Sequence, residues 1–384
     1  MRVAVVAEYY PRRHDPVLGV WAHRQALAAR DAGADVSVFV LHRLVPPRRD
    51  VSQAVALARH PHHQTVDGLA VRYVRYVSPP RGRTYARWGG WAAPALARAF
   101  AREERFDVVH AHNAVPGGDA VLRARIGLPL VTSLHGGDVL WTTSRAPGGR
   151  DAVERVLARS RLVLANSAGI ERLAREHGAE DTRVVHLGTD LPALAEPTAN
   201  PGAGMAEAPL ITTVGHLVAR KRHADVLEAL AGLPGVRYLV IGDGPERSAL
   251  ERRAGELGLR DRVEFAGQLA PEEALRRARA AWCFVMVSTQ EAFGVAYIEA
   301  MAAGITAVGC IGEPGPEEIA AAGGGIELVP PHSPDALAAS LRRLLGDRDE
   351  RLRLGAAARA TVEREFTWER CGEQTVQAYE DALA

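Results

Sequence analysis

A chain of 384 residues, 47% of them apolar, is long enough for two globular domains with separate cores. Its formal net charge of +1 argues against nucleic acid as the main partner, and Cys283, Cys310 and Cys371 lack the paired spacing of a disulfide framework or a zinc site. No apolar window reaches the length of a membrane span, so the expectation is a protein of the reducing cytoplasm, at most attached to the inner face of a membrane.

The first strand pattern is RVAVVA, too short for a signal peptide and interrupted by Glu8. A long loop, YYPRRHDPVLGVW, follows; it contains Gly19 but not the GxGxxG pattern of a dinucleotide oxidoreductase. DVSVFV, LAVRYVRYV, FDVVHAH, LPLVTSLH, RLVLANS and RVVHLG then alternate with Ala-, Arg- and Leu-rich helical patterns, as parallel sheets flanked by helices do. Within residues 72–91, Arg72, Arg75, Arg81, Arg83 and Arg87 interleave with Tyr73, Tyr76, Tyr85, Trp88 and Trp91. Such a stretch suits an anionic lipid surface or an acceptor ring, and equally a strand followed by an ordinary surface loop. His110 and His112 alternate along a strand and share a face, but no third ligand stands nearby to make a metal site; His112, at the strand end, is placed to face an acceptor. His135, Gly136, Gly137 and Asp138 follow the next strand in a loop whose missing side chains let backbone approach a ligand, and Asp138 can cap that loop or reach the acceptor.

Residues 191–209 are rich in Pro, Gly and Ala without a consistent period, which makes them a linker between a domain at 1–190 and one at 210–366. The second domain carries the strand patterns LITTVG, VRYLVIG, RVEFAG, WCFVMVS and ITAVGC. Lys221, just after the first of these, is the only lysine in a chain that otherwise writes Arg, which suggests a need for a compact three-donor ammonium in a strand-to-helix loop. Gly242 and Gly244 lie in IGDGPE, a tight turn into a helix; Glu317 opens another helix, and the DRD at Asp347–Asp349 reads as a solvated turn. In EAFGVAYIEAMAAG, Phe293, Gly294 and Val295 are expected to form the first turn of a helix, with Glu291 before it and Glu299 about two turns in. The free amides of that turn make an anion site between two acids. This suits a nucleotide sugar, with Glu291 on sugar hydroxyls and Glu299 on the ribose.

Taken in order, HAHNAVPGG, SLHGGDV, GHLVARK, IGDGPE, FAGQL, EAFGVAYIEAMAAG and VPPHSPDALAASL resemble the segments of family-4 retaining glycosyltransferases, from the first strand to the last helix. The resemblance implies an α/β chain of GT-B fold: two doubly wound Rossmann-like domains facing across a cleft, the N-terminal one for the acceptor and the C-terminal one for the nucleotide sugar. Residues 367–384 would form a last helix that returns to the N-terminal domain. It also implies catalytic roles for His135 beside the donor sugar, Lys221 on the diphosphate and Glu291. Gly19, His216, Gly242, Phe293, Gly294, Val295 and Glu299 would lie on the donor side, and His112 and Asp138 on the acceptor side. Where relatives usually carry an Arg five residues before the lysine, this chain has His216, and where they often carry a Gly doublet it has Gly19 alone. The implied reaction needs neither metal nor cofactor beyond its donor co-substrate. It moves a hexose-type unit from a UDP-sugar, favoured over GDP-mannose, to a hydroxyl of a glycan, glycolipid or small natural product. Two alternatives are a non-catalytic nucleotide-sugar-binding protein and a sugar-nucleotide epimerase of similar architecture.

Overall fold

The computed structural model describes residues 1–384 except 13–14, 46–50, 104 and 194–207, with residues 51–54 described by their backbone alone. Most of the expected linker at 191–209 therefore lies outside the described residues. The chain divides into two compact units, Met1–Leu187 with Trp368–Ala384, and Gly188–Thr367.

The first unit is built on strands β1 (Arg2–Ala7), β2 (Asp35–Arg43), β3 (His63–Val66), β4 (Leu69–Tyr76), β5 (Val108–His112), β6 (Leu130–Leu134), β7 (Leu162–Ala165) and β8 (Thr182–Val184). They form one sheet in the order β3-β4-β2-β1-β5-β6-β7-β8. All neighbours are parallel except β3, which pairs antiparallel with β4. Residues Val3 to Ala7 are completely buried, as expected of a central strand covered by helices on both faces. β3 is a polar, exposed edge that the apolar-run criterion passes over; the Asp67-Gly68 turn between it and β4 is the signal that marks it. The C-terminal helix Trp368–Leu383 places Cys371, Ala378, Tyr379 and Ala382 in the same core as β1 and packs on helix Val20–Asp31.

The second unit has strands β9 (Leu210–Val214), β10 (Arg237–Ile241), β11 (Val263–Gly267), β12 (Cys283–Val285), β13 (Thr306–Cys310) and β14 (Ile326–Val329), all parallel, in the order β11-β10-β9-β12-β13-β14. β14, only four residues long after a run of glycines, gives no strand signal of its own in the sequence. The DRD is not a solvated turn: Asp347 caps helix Arg348–Glu365, its carboxylate accepting from the Glu350 amide at 2.9 Å.

In each sheet the chain reverses its direction of travel at one place, between β1 and β5 in the first and between β9 and β12 in the second. In open α/β sheets, ligands are held outside the carboxyl ends of the strands at such a reversal. Glu8, Asn113 and His135 follow β1, β5 and β6; Lys221 and Glu291 follow β9 and β12.

Candidate functional site

In the second unit, Lys221 ends a short 3-10 turn, Ala219–Lys221, and is 9% exposed. Its ammonium donates to Glu291 Oε2 at 2.6 Å and lies 3.2 Å from the Met286 sulfur. Arg220 stands 3.8 Å from the same carboxylate oxygen. Burial alone would push the Glu291 carboxyl up, but Lys221 and Arg220 together hold it below the usual carboxylate range. Two cations, Lys221 and Arg220, thus face this carboxylate. Glu291 is fixed from behind: its amide donates to Glu313 at 2.7 Å, and its carbonyl accepts from Gly315 at 3.1 Å.

The helix after Glu291 runs from Val295 to Ala302, shorter at its start than the sequence suggests. Phe293 is not in its first turn; the ring is buried and meets Phe366 edge-on at 5.6 Å. Gly294 caps the helix in the left-handed conformation, φ 86°, and a Cβ there would lie 2.5 Å from the Tyr297 ring. The Tyr297 hydroxyl donates to the Met286 carbonyl and so ties the helix to the loop that carries Glu291. Glu299 is half-buried four positions after Val295, just over one turn in rather than two. His216 is exposed in the loop after β9, while Gly242 directly follows β10 and its amide donates to the Gly267 carbonyl at 2.9 Å.

The first unit contains a cavity of about 380 Å³ lined by Tyr9, Trp21, Arg81, His135, Asp138 and Trp141, among others. Gly19 precedes helix Val20–Asp31 with φ 66°, pressed against the Tyr9–Tyr10 backbone. Asp138 is 1% exposed and accepts from the Val115 amide at 3.2 Å and from Asn113 Nδ2 at 3.1 Å, so it ties the loop after β6 to the loop after β5. Its burial pushes the carboxyl up to about 6. His112 is 1% exposed and does not face open space; its Nδ1 shares a hydrogen with His135 Nε2 at 2.9 Å. Burial drives the His135 imidazole down to about 3, so it is neutral at physiological pH.

Three residues of this wall escaped the sequence reading as a group. Glu8 accepts from the Tyr85 hydroxyl at 2.8 Å, and burial holds its carboxyl above the ordinary range against the pull of Arg81. The Arg81 guanidinium lies 4.1 Å from the Tyr85 ring centroid and 5.7 Å from that of Tyr9. The signal was available: an acid that directly follows the buried apolar run Val3–Ala7 of a central strand sits where such sheets bind ligands. Of the aromatics in residues 72–91, Tyr73, Tyr76, Tyr85 and Trp88 are buried and Trp91 is exposed, so most of that stretch's aromatic surface goes into the core. Among the described residues, no helix is long and apolar enough to cross a membrane.

The sequence matches two family models, Glycosyltransferase Family 4 over residues 18–192 and Glycosyl transferases group 1 over residues 203–361. It is 30% identical over 395 residues to the D-inositol 3-phosphate glycosyltransferase of Kineococcus radiotolerans, covering 91% of this chain and 87% of that protein. It is 27% identical over 340 residues to the GDP-mannose-dependent monoacylated alpha-(1-6)-phosphatidylinositol monomannoside mannosyltransferase of Corynebacterium glutamicum, covering 82% and 84%. In fold it is similar to Anabaena HepE, solved in complex with UDP and glucose, with a TM-score of 0.74 at 21% identity over 98% of this chain and 99% of that one. With both sheets doubly wound and both halves matched, the chain belongs to glycosyltransferase family 4 and is a hexosyl-type glycosyltransferase of GT-B fold.

Proposed function

We propose that this enzyme moves a hexose-type sugar from a nucleoside diphosphate sugar to an acceptor hydroxyl with retention of anomeric configuration and without a divalent cation. The observation that carries this reading is the enclosed Lys221 ammonium beside Glu291 at the strand reversal of the second unit. Two cations next to the amides at the start of helix Val295–Ala302 favour a diphosphate over a neutral ligand. Two opposite charges about 4 Å apart at an effective dielectric near 20 attract by roughly 4 kcal/mol before desolvation. Half of that, applied to charge developing on the departing diphosphate, accelerates the reaction more than tenfold. The ammonium has three protons, so it can keep Glu291 and still donate to a phosphate oxygen.

Glu291 would hold sugar hydroxyls, Glu299 the ribose, and His135 the sugar near its anomeric carbon. The bond from the anomeric carbon to the phosphate oxygen breaks as the acceptor oxygen bonds to that carbon on the same face. The acceptor proton passes to the departing phosphate oxygen. UDP-sugars are the favoured donors, in line with the UDP held by the Anabaena neighbour, and GDP-mannose is the alternative that the Corynebacterium relative's name supports. Both relatives are named for inositol-containing substrates, which supports a glycan, glycolipid or small natural product as acceptor. Three buried free cysteines suit a cytoplasmic location.

A thermal-shift panel of UDP-sugars and GDP-mannose tests the donor side, since a ligand at about a hundred times its dissociation constant stabilises by roughly 2.7 kcal/mol. The stabilising donor is then offered with candidate acceptors in EDTA. The expected result is a product of retained configuration at undiminished rate; an inverted product, or activity lost in EDTA and restored by a divalent cation, would overturn the mechanism.

A further inference from the structure

Behind the cavity of the first unit lies a row of enclosed polar groups, and the pairing of their nitrogens gives His112 a task. His110 and His112 sit at alternate positions of β5 with ring centroids 4.5 Å apart. His110 has both nitrogens engaged, Nδ1 with the Tyr379 hydroxyl and Nε2 with the Ser133 hydroxyl, each at 2.7 Å. It therefore has neither proton nor lone pair left for His112. His112 turns the other way, its Nδ1 2.9 Å from His135 Nε2, with the two ring planes within 6° of parallel. Trp21 closes on His135 from helix Val20–Asp31, ring centroids 6.0 Å apart.

Two polar atoms of this pair are enclosed and have no hydrogen-bond partner among the described residues, His112 Nε2 and His135 Nδ1. A neutral imidazole carries one N–H. If His112 Nδ1 donates, His135 must carry its own proton on Nδ1; if His135 Nε2 donates, its Nδ1 is a bare acceptor. The hydrogen bond thus couples the free end of His135 to the tautomer of His112. Leaving such atoms unsatisfied costs about 1–3 kcal/mol each, which makes the pair an expensive way merely to fill space.

We propose that His112 is a positioning residue for the transfer reaction: it fixes the ring plane and tautomer of His135, so that His135 Nδ1 offers the bound ligand one hydrogen-bonding character and not a mixture. The proposal rests on the reading of His135 as a group beside the donor sugar. His110, with Tyr379 and Ser133, braces His112 and takes no proton from it.

The test combines nitrogen-15 NMR of the histidine rings with steady-state kinetics, the His135 signals being assigned by their loss in His135→Gln. In the parent protein the His135 ring should show the shifts of a single tautomer. His112→Phe keeps a ring but removes the nitrogen; it should give averaged His135 shifts and a kcat at least tenfold lower, with donor KM within about threefold. His112→Asn, which returns a polar group near the Nδ1 position, should recover kcat to within about threefold of the parent, whereas His112→Gln should not. Unchanged His135 shifts in His112→Phe, a kcat for that variant within twofold of the parent, or equal behaviour of Asn and Gln would overturn the proposal. If His112→Phe does not fold, the Asn and Gln pair decides alone. Should no donor support transfer, the proposed function fails, while the ring shifts still decide whether His112 sets the tautomer.

Discussion

At the scale of single residues, the pair Lys221 and Glu291 serves stability and chemistry at once, and the two can be separated. Removing one partner of an enclosed ion pair typically costs about 3–5 kcal/mol because the other charge is stranded, whereas replacing both with apolar groups is often neutral. Lys221→Ala should therefore lower both the melting temperature and turnover, the latter about a hundredfold or more. The double variant Lys221→Met with Glu291→Leu should melt within a few degrees of the parent and still lack activity. Calorimetry and initial rates on the three proteins check this, and a double variant that retains turnover would remove the pair from the mechanism. The sequence made this site legible through one anomaly, a lone lysine in an arginine-writing chain. It did not reveal that the ammonium is already committed to Glu291, because pairing across 70 positions depends on β9 and β12 lying side by side. Glu8 was missed for the same reason: its partner Tyr85 is 77 positions away.

Among the elements, the segment from Glu291 to Gly294 depends on a neighbour that carries no ligand group. A Cβ on Gly315 would lie 2.1 Å from the Phe293 carbonyl oxygen, and the Gly315 amide donates to the Glu291 carbonyl. Gly315→Ala should push that strand-to-helix turn out of place, raising donor KM about tenfold or more, while Gly346→Ala in the same unit, where a Cβ meets nothing within 4 Å, serves as the control. Isothermal titration with the nucleoside diphosphate reads the difference directly; equal affinities in parent and Gly315→Ala would show that the turn's placement does not matter. Element existence was mostly readable because twelve of the strands are apolar runs. The exceptions were a polar edge, β3, and a four-residue strand, β14, where burial is supplied by neighbours rather than by local pattern. Helix starts were less readable. The Val295 helix begins where Gly294 turns left-handed, and Asp347 caps a helix inside what looked like a solvated turn.

For the molecule as a whole, the C-terminal helix completes the first unit's core although the second unit intervenes in sequence. A histidine-lined interior also sets how the protein responds to acid. Burial holds His42 and His223 down at about 4 and His110 and His135 at about 3. Because these values lie below that of an unfolded histidine, near 6.5, the unfolded chain takes up protons first as pH falls. Their stabilising contribution is complete above about pH 6.5 and is lost between there and pH 3–4. Asp138, raised to about 6, acts in the opposite sense and gains stability as pH falls from about 6 to 4, and Glu8 and Glu313 are raised likewise, but these three carboxyls oppose the four imidazoles above together with His112, which burial also holds well below its ordinary value. Urea midpoints should therefore drop steadily below pH 6.5, and a midpoint that holds or rises down to pH 5 would contradict the neutral burial of these rings.

The account rests on a diphosphate held by the lone lysine and the start of the Val295 helix. A crystal structure with the preferred nucleotide sugar or its nucleoside diphosphate tests it most directly. Phosphate oxygens are expected about 3 Å from Lys221 Nζ and from at least one amide at Gly294–Ala296, the range of a charge-assisted hydrogen bond. A diphosphate bound away from both, with Lys221 still turned only toward Glu291, would contradict it.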